Sequence, residues 1–284
     1  MGNDDVTTVI ACFNYGRYLR EAVDSVLEQE GGPPRIVVVD DGSTESETRA
    51  ALDALPQDVE VIRQGNFGVC AARNAGLACV ETPYALVLDA DDRLAAGAVR
   101  AMRAPLDADP SLGYAYGSMR LFGAWQGELR FPEYDAYRLL HRHTIGLSAL
   151  MRREVIDDTG GFDPAFEAFE DWELWINALE HGWRGRRVDA VTLEYRRHPG
   201  ASKLSEDRRS YRRHYAALRH KHASLYARAG ELAREGRIGP LQRAVYRWFW
   251  GARPVPAALE ARLYRRLFRP PTETAEPSAM LHER

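Results

Sequence analysis

Four groups of polar residues stand where an apolar run ends, and their side chains are of the kinds that hold cations, nucleotides or protons. They are Asn14; Asp40-Asp41-Gly42-Ser43; Asn66; and Asp89-Ala90-Asp91-Asp92. Turn and cap preferences account for any one of these groups alone. Four of them on one rim would crowd carboxylates around a crevice, which is unfavourable unless a cation or hydrogen-bond donors neutralise them. Asp89-x-Asp91 suits a shared hard cation: Mn²⁺ or Mg²⁺ held by one or two carboxylates completes its shell with water and phosphate oxygens. The pattern therefore implies a nucleotide diphosphate. No Gly-x-Gly-x-x-Gly follows the first apolar run and no Gly-x-x-x-x-Gly-Lys-Ser/Thr occurs, so neither a nicotinamide-binding domain nor a P-loop is supported.

The elements that must carry these groups alternate from the start. Thr7–Phe13, Ile36–Val39, Val59–Arg63 and Tyr84–Leu88 are short apolar, β-branched runs that predict buried strands, and helical spacing falls between them at 18–29, 47–55 and 69–78. Such alternation predicts an α/β fold with a mainly parallel sheet covered on both faces, whose ligands collect beyond the carboxyl ends of the strands. Beyond Pro105 the regularity weakens: Leu112–Leu121 suggests a strand, Trp172–His181 a helix and Val191–Arg196 an exposed or edge strand. Residues 1–105 and 106–204 are expected to form two halves of one domain, with 205–269 a basic helical extension and 270–284 a disordered tail.

Composition sets outer bounds. With 284 residues, 45% hydrophobic and 28% charged, the chain can build a core, and it has no apolar run long enough to span a bilayer. The opening Asn3-Asp4-Asp5 lacks a signal peptide's positive start, so a cytoplasmic location is expected; three cysteines without Cys-x-x-Cys spacing read as core residues. Residues 1–200 hold 20 Lys+Arg against 33 Asp+Glu, whereas residues 201–270 hold 17 against 5. This basic quarter carries Arg-rich amphipathic segments within 241–269 that would either lie on an anionic membrane at its inner face or dock on the acidic body. Nucleic acid is not expected as a partner, because the body's acidity opposes it.

The sequence resembles the family 2 glycosyltransferases with the nucleotide-diphospho-sugar transferase (GT-A) fold. TTVIACFNYGRYLREAVDSVLEQ, IVVVDDGSTE, NFGVCAARNAGL, YALVLDADD and GGFDPAFEAFEDWELW carry the resemblance in order, with YRRHPGAS after them, over about residues 6–202. The resemblance implies an inverting, metal-dependent transfer of a sugar from a nucleotide-diphosphate donor, a UDP-sugar being favoured, to a carbohydrate, lipid-linked or other hydroxyl acceptor. It implies that Phe13 stacks on the base, that Asp41 binds its edge with Asn14 and Asn66 nearby, and that Arg73 lies near the phosphates. Asp89 and Asp91 become the metal-and-ribose pair with His198 as a further ligand or diphosphate contact, Glu170-Asp171 the pair supplying the base as Asp171, and Phe162, Asp163 and Trp172 acceptor contacts.

Other readings remain. Asp171 at the start of an amphipathic segment could be a helix cap, with Glu170 favouring the dipole. Phe13 stands where many members of the family have Tyr, and it stacks without donating a hydrogen bond. Trp125, Phe131, Tyr134, Tyr137, His141 and His143 suggest acceptor stacking or core packing. A catalytically silent sugar-nucleotide or carbohydrate binding module would keep the fold, but the retained Asp-x-Asp and Glu-Asp pairs count against it. A sugar-1-phosphate nucleotidyltransferase would show a Gly-rich, Arg- and Lys-containing segment after the first strand, which is missing here.

Overall fold

A computed structural model describes residues 3–166, 168–199, 208–236 and 238–251. The first half alternates as its periodicity predicts: β1 (Val6–Cys12), α1 (Gly16–Leu27), β2 (Arg35–Asp40), α2 (Ser46–Asp53), β3 (Glu60–Arg63), α3 (Val69–Leu77) and β4 (Tyr84–Asp89). These four strands are parallel in the order β3-β2-β1-β4. β1, β2 and β4 are buried on both faces, which is why they read as continuous apolar runs and not as alternations. Ile36 and Val38 face the layer of α1, while Val37 and Val39 face Ala72 of α3. α3 lies close against β1 because Gly76 has no side chain: a Cβ there would stand 2.2 Å from Val9.

The sheet continues into the second half with mixed direction. After β5 (Arg93–Leu94) and α4 (Ala98–Ala108) come β6 (Leu112–Gly123), β7 (Gly127–Leu129), α5 (Ala136–His141), β8 (Leu150–Arg152), α6 (Arg153–Thr159), α7 (Glu170–Glu180) and β9 (Arg184–Arg197). β8 pairs antiparallel with β4 and with β6, and β9 runs parallel to β6, so the parallel description holds for β1 to β4 and gives way here. β9 is not the edge strand its alternation suggests. It lies between β6 and the two-residue β5, and the alternation records a half-covered face.

The helical extension expected from residue 205 consists, among the described residues, of α8 (Arg208–Lys221), α9 (Ala223–Ala227), α10 (Ala229–Glu235), α11 (Pro240–Val245) and a π-helical turn (Tyr246–Gly251). Tyr211, Tyr215, Leu218, Leu225 and Leu232 enter the same core as α7. Lys221 pairs with Asp163 and with the buried Glu173, and His222 is held between Glu173 and Glu180. α8 to α10 are therefore docked on the acidic body. Of the amphipathic segments expected within 241–269, the part beyond Gly251 lies outside the described residues, as does the tail at 270–284.

Candidate active site

The strand order reverses around β1 and β4, a switch point of the kind whose strand carboxyl ends border a ligand crevice. Cys12 is paired in register with Asp40 and Ala11 with Asp89, which brings three of the four polar groups to one rim. The β2 turn is rigid: the Asp40 carboxylate accepts the Ser43 N–H, and Gly42 takes a φ of 73°. Asp41 is buried and accepts hydrogen bonds from Gln64 Nε2 (2.8 Å) and from the Phe67 and Gly68 N–H groups (both 2.9 Å), so it fixes the loop around Asn66. Asn14, at a left-handed φ of 56°, accepts the Thr44 and Glu45 N–H groups with its Oδ1. Asn14 and Asp41 are thus committed to the rim itself. Asn66 is exposed beside them, as are Phe13 and Phe67.

Asp89, Asp91 and Asp92 each present a carboxylate oxygen within 4.8 Å of the others. They differ in what else they do. Asp92 is buried and accepts the Arg196 N–H at 2.7 Å, tying the end of β4 to β9. Asp91 meets His198 Nε2 at 2.7 Å, and the His198 ring lies against Tyr15 and Tyr18. Burial pushes the Asp91 carboxyl up, and the His198 hydrogen bond opposes that shift. An all-oxygen pair from Asp89 and Asp91 with an imidazole beside it suits Mn²⁺ or Mg²⁺.

Arg73 joins the two acidic motifs. Its guanidinium is almost fully buried, donating from Nη2 to Asp89 at 2.7 Å and from Nη1 to Glu170 at 2.8 Å while lying over the Phe162 ring. Asp89 and Glu170 are distant in sequence, and this one cation holds them across the crevice. Arg73 is committed to carboxylates, so its expected place near the phosphates comes with both fork ends occupied.

α7 starts at Glu170, preceded by Phe169 in a left-handed conformation (φ 66°) that costs a non-glycine residue backbone strain. Asp171 is therefore in the first turn and is not the cap. Its Oδ1 accepts the Trp172 N–H at 2.8 Å, and its Oδ2 lies 3.1 Å from His143 Nε2. Burial raises the Asp171 pKa, but His143, the Arg73 charge and the Trp172 N–H outweigh it, and the group stays below the usual carboxylate range. Glu170 moves the other way, raised by burial and by the charge of Asp171 against the pull of Arg73. The pair thus consists of one carboxylate whose pKa is held down and one whose pKa is pushed up, the second still paired with Arg73.

Two of the three expected acceptor contacts are corrected. Phe162 is 2% exposed and Trp172 fully buried, because both fill the core that positions α7, and neither offers a surface to an acceptor. Asp163 is at the surface, paired with Lys221 at 2.7 Å. The sequence reading missed the partnership of His143 with Asp171. His143 stacks parallel to Trp172 at 5.9 Å, and its signal in the sequence is its place at the end of the aromatic- and histidine-bearing stretch from Trp125.

A sequence profile described as Glycosyl transferase family 2 matches residues 7–160. The chain belongs to that family. The succinoglycan biosynthesis protein ExoO of Rhizobium meliloti is 31% identical over 199 residues, covering 63% of this chain and 57% of its own length. An uncharacterized glycosyltransferase of Nostoc sp. is 40% identical over 91 residues, 31% of this chain and 28% of its own. The chain thus spans well under two thirds of these relatives. The crystal structure of S. aureus TarS 1–349 in complex with UDP-GlcNAc superposes with a TM-score of 0.63 at 18% identity, covering 94% of this chain and 80% of that one, which shows the shared fold. Among the described residues, no helix is long and apolar enough to cross a membrane.

Proposed function

We propose that the protein is an inverting glycosyltransferase that moves a sugar from a nucleotide-diphosphate donor, with UDP favoured, to a hydroxyl of a carbohydrate or lipid-linked acceptor. The observation that carries this reading is the chain Asp89–Arg73–Glu170, which holds the Asp-x-Asp rim across the crevice from an ionised Asp171. Asp171 takes the acceptor's proton as its hydroxyl attacks the anomeric carbon from the face opposite the departing diphosphate, in one displacement without a covalent intermediate. His143 keeps Asp171 deprotonated and orients it. Phe13, 39% exposed at the mouth of β1, offers a ring to the base, and Asn66 stands beside it. Asp89, Asp91 and His198 would hold a divalent cation, which when bound neutralises charge on the diphosphate. The likeness to TarS, solved with UDP-GlcNAc, supports a UDP-sugar, and the likeness to a succinoglycan biosynthesis protein supports a polysaccharide product.

Calorimetry with UDP, GDP, TDP and CMP, each with and without Mn²⁺, tests the donor site. Micromolar UDP binding that disappears in EDTA or in Asp91→Ala is expected; metal-independent binding of equal strength would overturn the cation assignment. Asp171→Asn should lower kcat by roughly 10²–10⁴ with UDP affinity unchanged. Near-normal turnover, or a product with the donor's anomeric configuration, would refute Asp171 as the base.

A further inference from the structure

A deep concavity lies away from the carboxylate crevice, between α5, α8 to α10 and the chain from α11 into its π-helical turn. Its volume is about 940 Å³, and its lining includes Arg219, Arg243, Arg247, His141, Tyr226 and Trp248. Three features set it apart from ordinary interhelical space. The first is charge: three guanidinium groups and no carboxylate line it, and among the described residues none of the three arginines pairs with an acid. Other arginines around it do find acid partners, Arg184 in Glu235 and Arg228 in Glu231. The second is a buried polar atom without a partner. His141 is 6% exposed, its Nδ1 is bonded to the Tyr215 hydroxyl at 2.9 Å, and its Nε2 has no partner among the described residues while the residue lines the cleft. Leaving a buried polar group unpaired is unfavourable, so its retention points to a ligand that satisfies it. The third is an apolar wall: Tyr226 borders the arginines, and Trp248 stands 56% exposed beside them.

We propose that this cleft binds a phosphate monoester carrying an apolar chain, as a second ligand site separate from the donor crevice. The phosphate oxygens lie among Arg219, Arg243 and Arg247, whose planar forks match phosphate geometry. With the Tyr215 hydroxyl donating to Nδ1, the His141 Nε2–H donates to the same anion. The chain lies against Tyr226 and Trp248. A volume near 940 Å³ falls within the range of small-molecule pockets and exceeds what a bare phosphate fills.

Calorimetric titration of the full chain with dodecyl phosphate below its micellar concentration tests the proposal, with inorganic phosphate and dodecyl maltoside as the charge-only and chain-only probes. Saturable one-to-one binding of dodecyl phosphate is expected, at least tenfold tighter than either probe and weakened by added salt. In Arg219→Gln/Arg247→Gln, two exposed positions whose replacement leaves the fold intact, that affinity should fall at least tenfold while UDP binding in Mn²⁺ stays unchanged. Trp248→Ala should weaken dodecyl phosphate but not inorganic phosphate. Equal binding of dodecyl maltoside, equal binding of inorganic phosphate, undiminished affinity in the double variant, or no saturable binding would each overturn the proposal. Because UDP is titrated into the same samples, failure of the donor reading shows up independently of failure here.

Discussion

Replacing Arg73 with methionine removes the one cation that Asp89 and Glu170 share, while keeping most of the side chain's apolar stem against Phe162. Breaking a buried ion pair by deleting one partner costs about 3–5 kcal/mol, because the remaining charge is left uncompensated. The two carboxylates do not suffer equally. The Asp89 side chain is 35% exposed, so water takes up most of its loss, whereas Glu170 is 17% exposed and already disfavoured as an anion by Asp171. The low end of the range, about 3 kcal/mol, is therefore expected. With a urea m-value of about 3 kcal/mol per molar for a chain of this size, the unfolding midpoint at pH 7 should fall by about 1 M. Arg35→Met is the internal control: its pair with Glu60 is 38% and 42% exposed, and such pairs contribute roughly 0–1 kcal/mol, a shift of no more than about 0.3 M. Arg73→Lys should fall between the two, since one ammonium does not span both carboxylates. If Arg73→Met moves the midpoint no further than Arg35→Met, the clamp is not structural. Loss of UDP affinity without loss of stability would assign Arg73 to the diphosphate instead.

His143→Gln should move the acidic limb of the pH–rate profile upward, because Asp171 loses the partner that contributes most to holding its pKa down; an unchanged limb would remove His143 from the site. Burial, with Arg219 and Arg247 nearby, pushes His141 down to about 4, so well above pH 6.5 it is neutral both folded and unfolded and its titration has no effect on stability. As pH falls from 6.5 toward 4, the unfolded chain takes up a proton that the folded one refuses, and about 3 kcal/mol of stability is lost; denaturant titrations at pH 7 and 4.5 should show a smaller drop in His141→Gln. His222→Leu leaves Glu173, fully buried, with Lys221 alone, and should lower Tm by roughly 6–15 °C, from about 3–5 kcal/mol, in a thermal melt. A melt within a degree of wild type would show that the extension is held by its aromatic contacts and not by this network.

What the sequence determined by itself was the part of the fold in which local pattern and tertiary role coincide. β1, β2 and β4 are buried on both faces, so each appears as a run of Val, Ile, Leu and Ala with polar residues at its end, and parallel pairing then brings those ends to one rim. The Asp89, Asp91 and Asp92 cluster was legible for that reason. The tertiary structure decided the partnerships. Nothing local to Arg73 tells that its guanidinium reaches Glu170, 97 residues away, or that His222 closes on Glu173, because these pairs form only when α3, α7 and α8 pack around one core. The same packing decided that Phe162 and Trp172 are interior and that β9 is covered by β5. Spacing records which face of an element is apolar, but not which neighbour covers it. His143 shows that boundary most clearly: its imidazole becomes the partner of Asp171 only because the end of α5 is carried against the first turn of α7, where Trp172 Nε1 donates to the Leu139 carbonyl at 2.6 Å and fixes the approach.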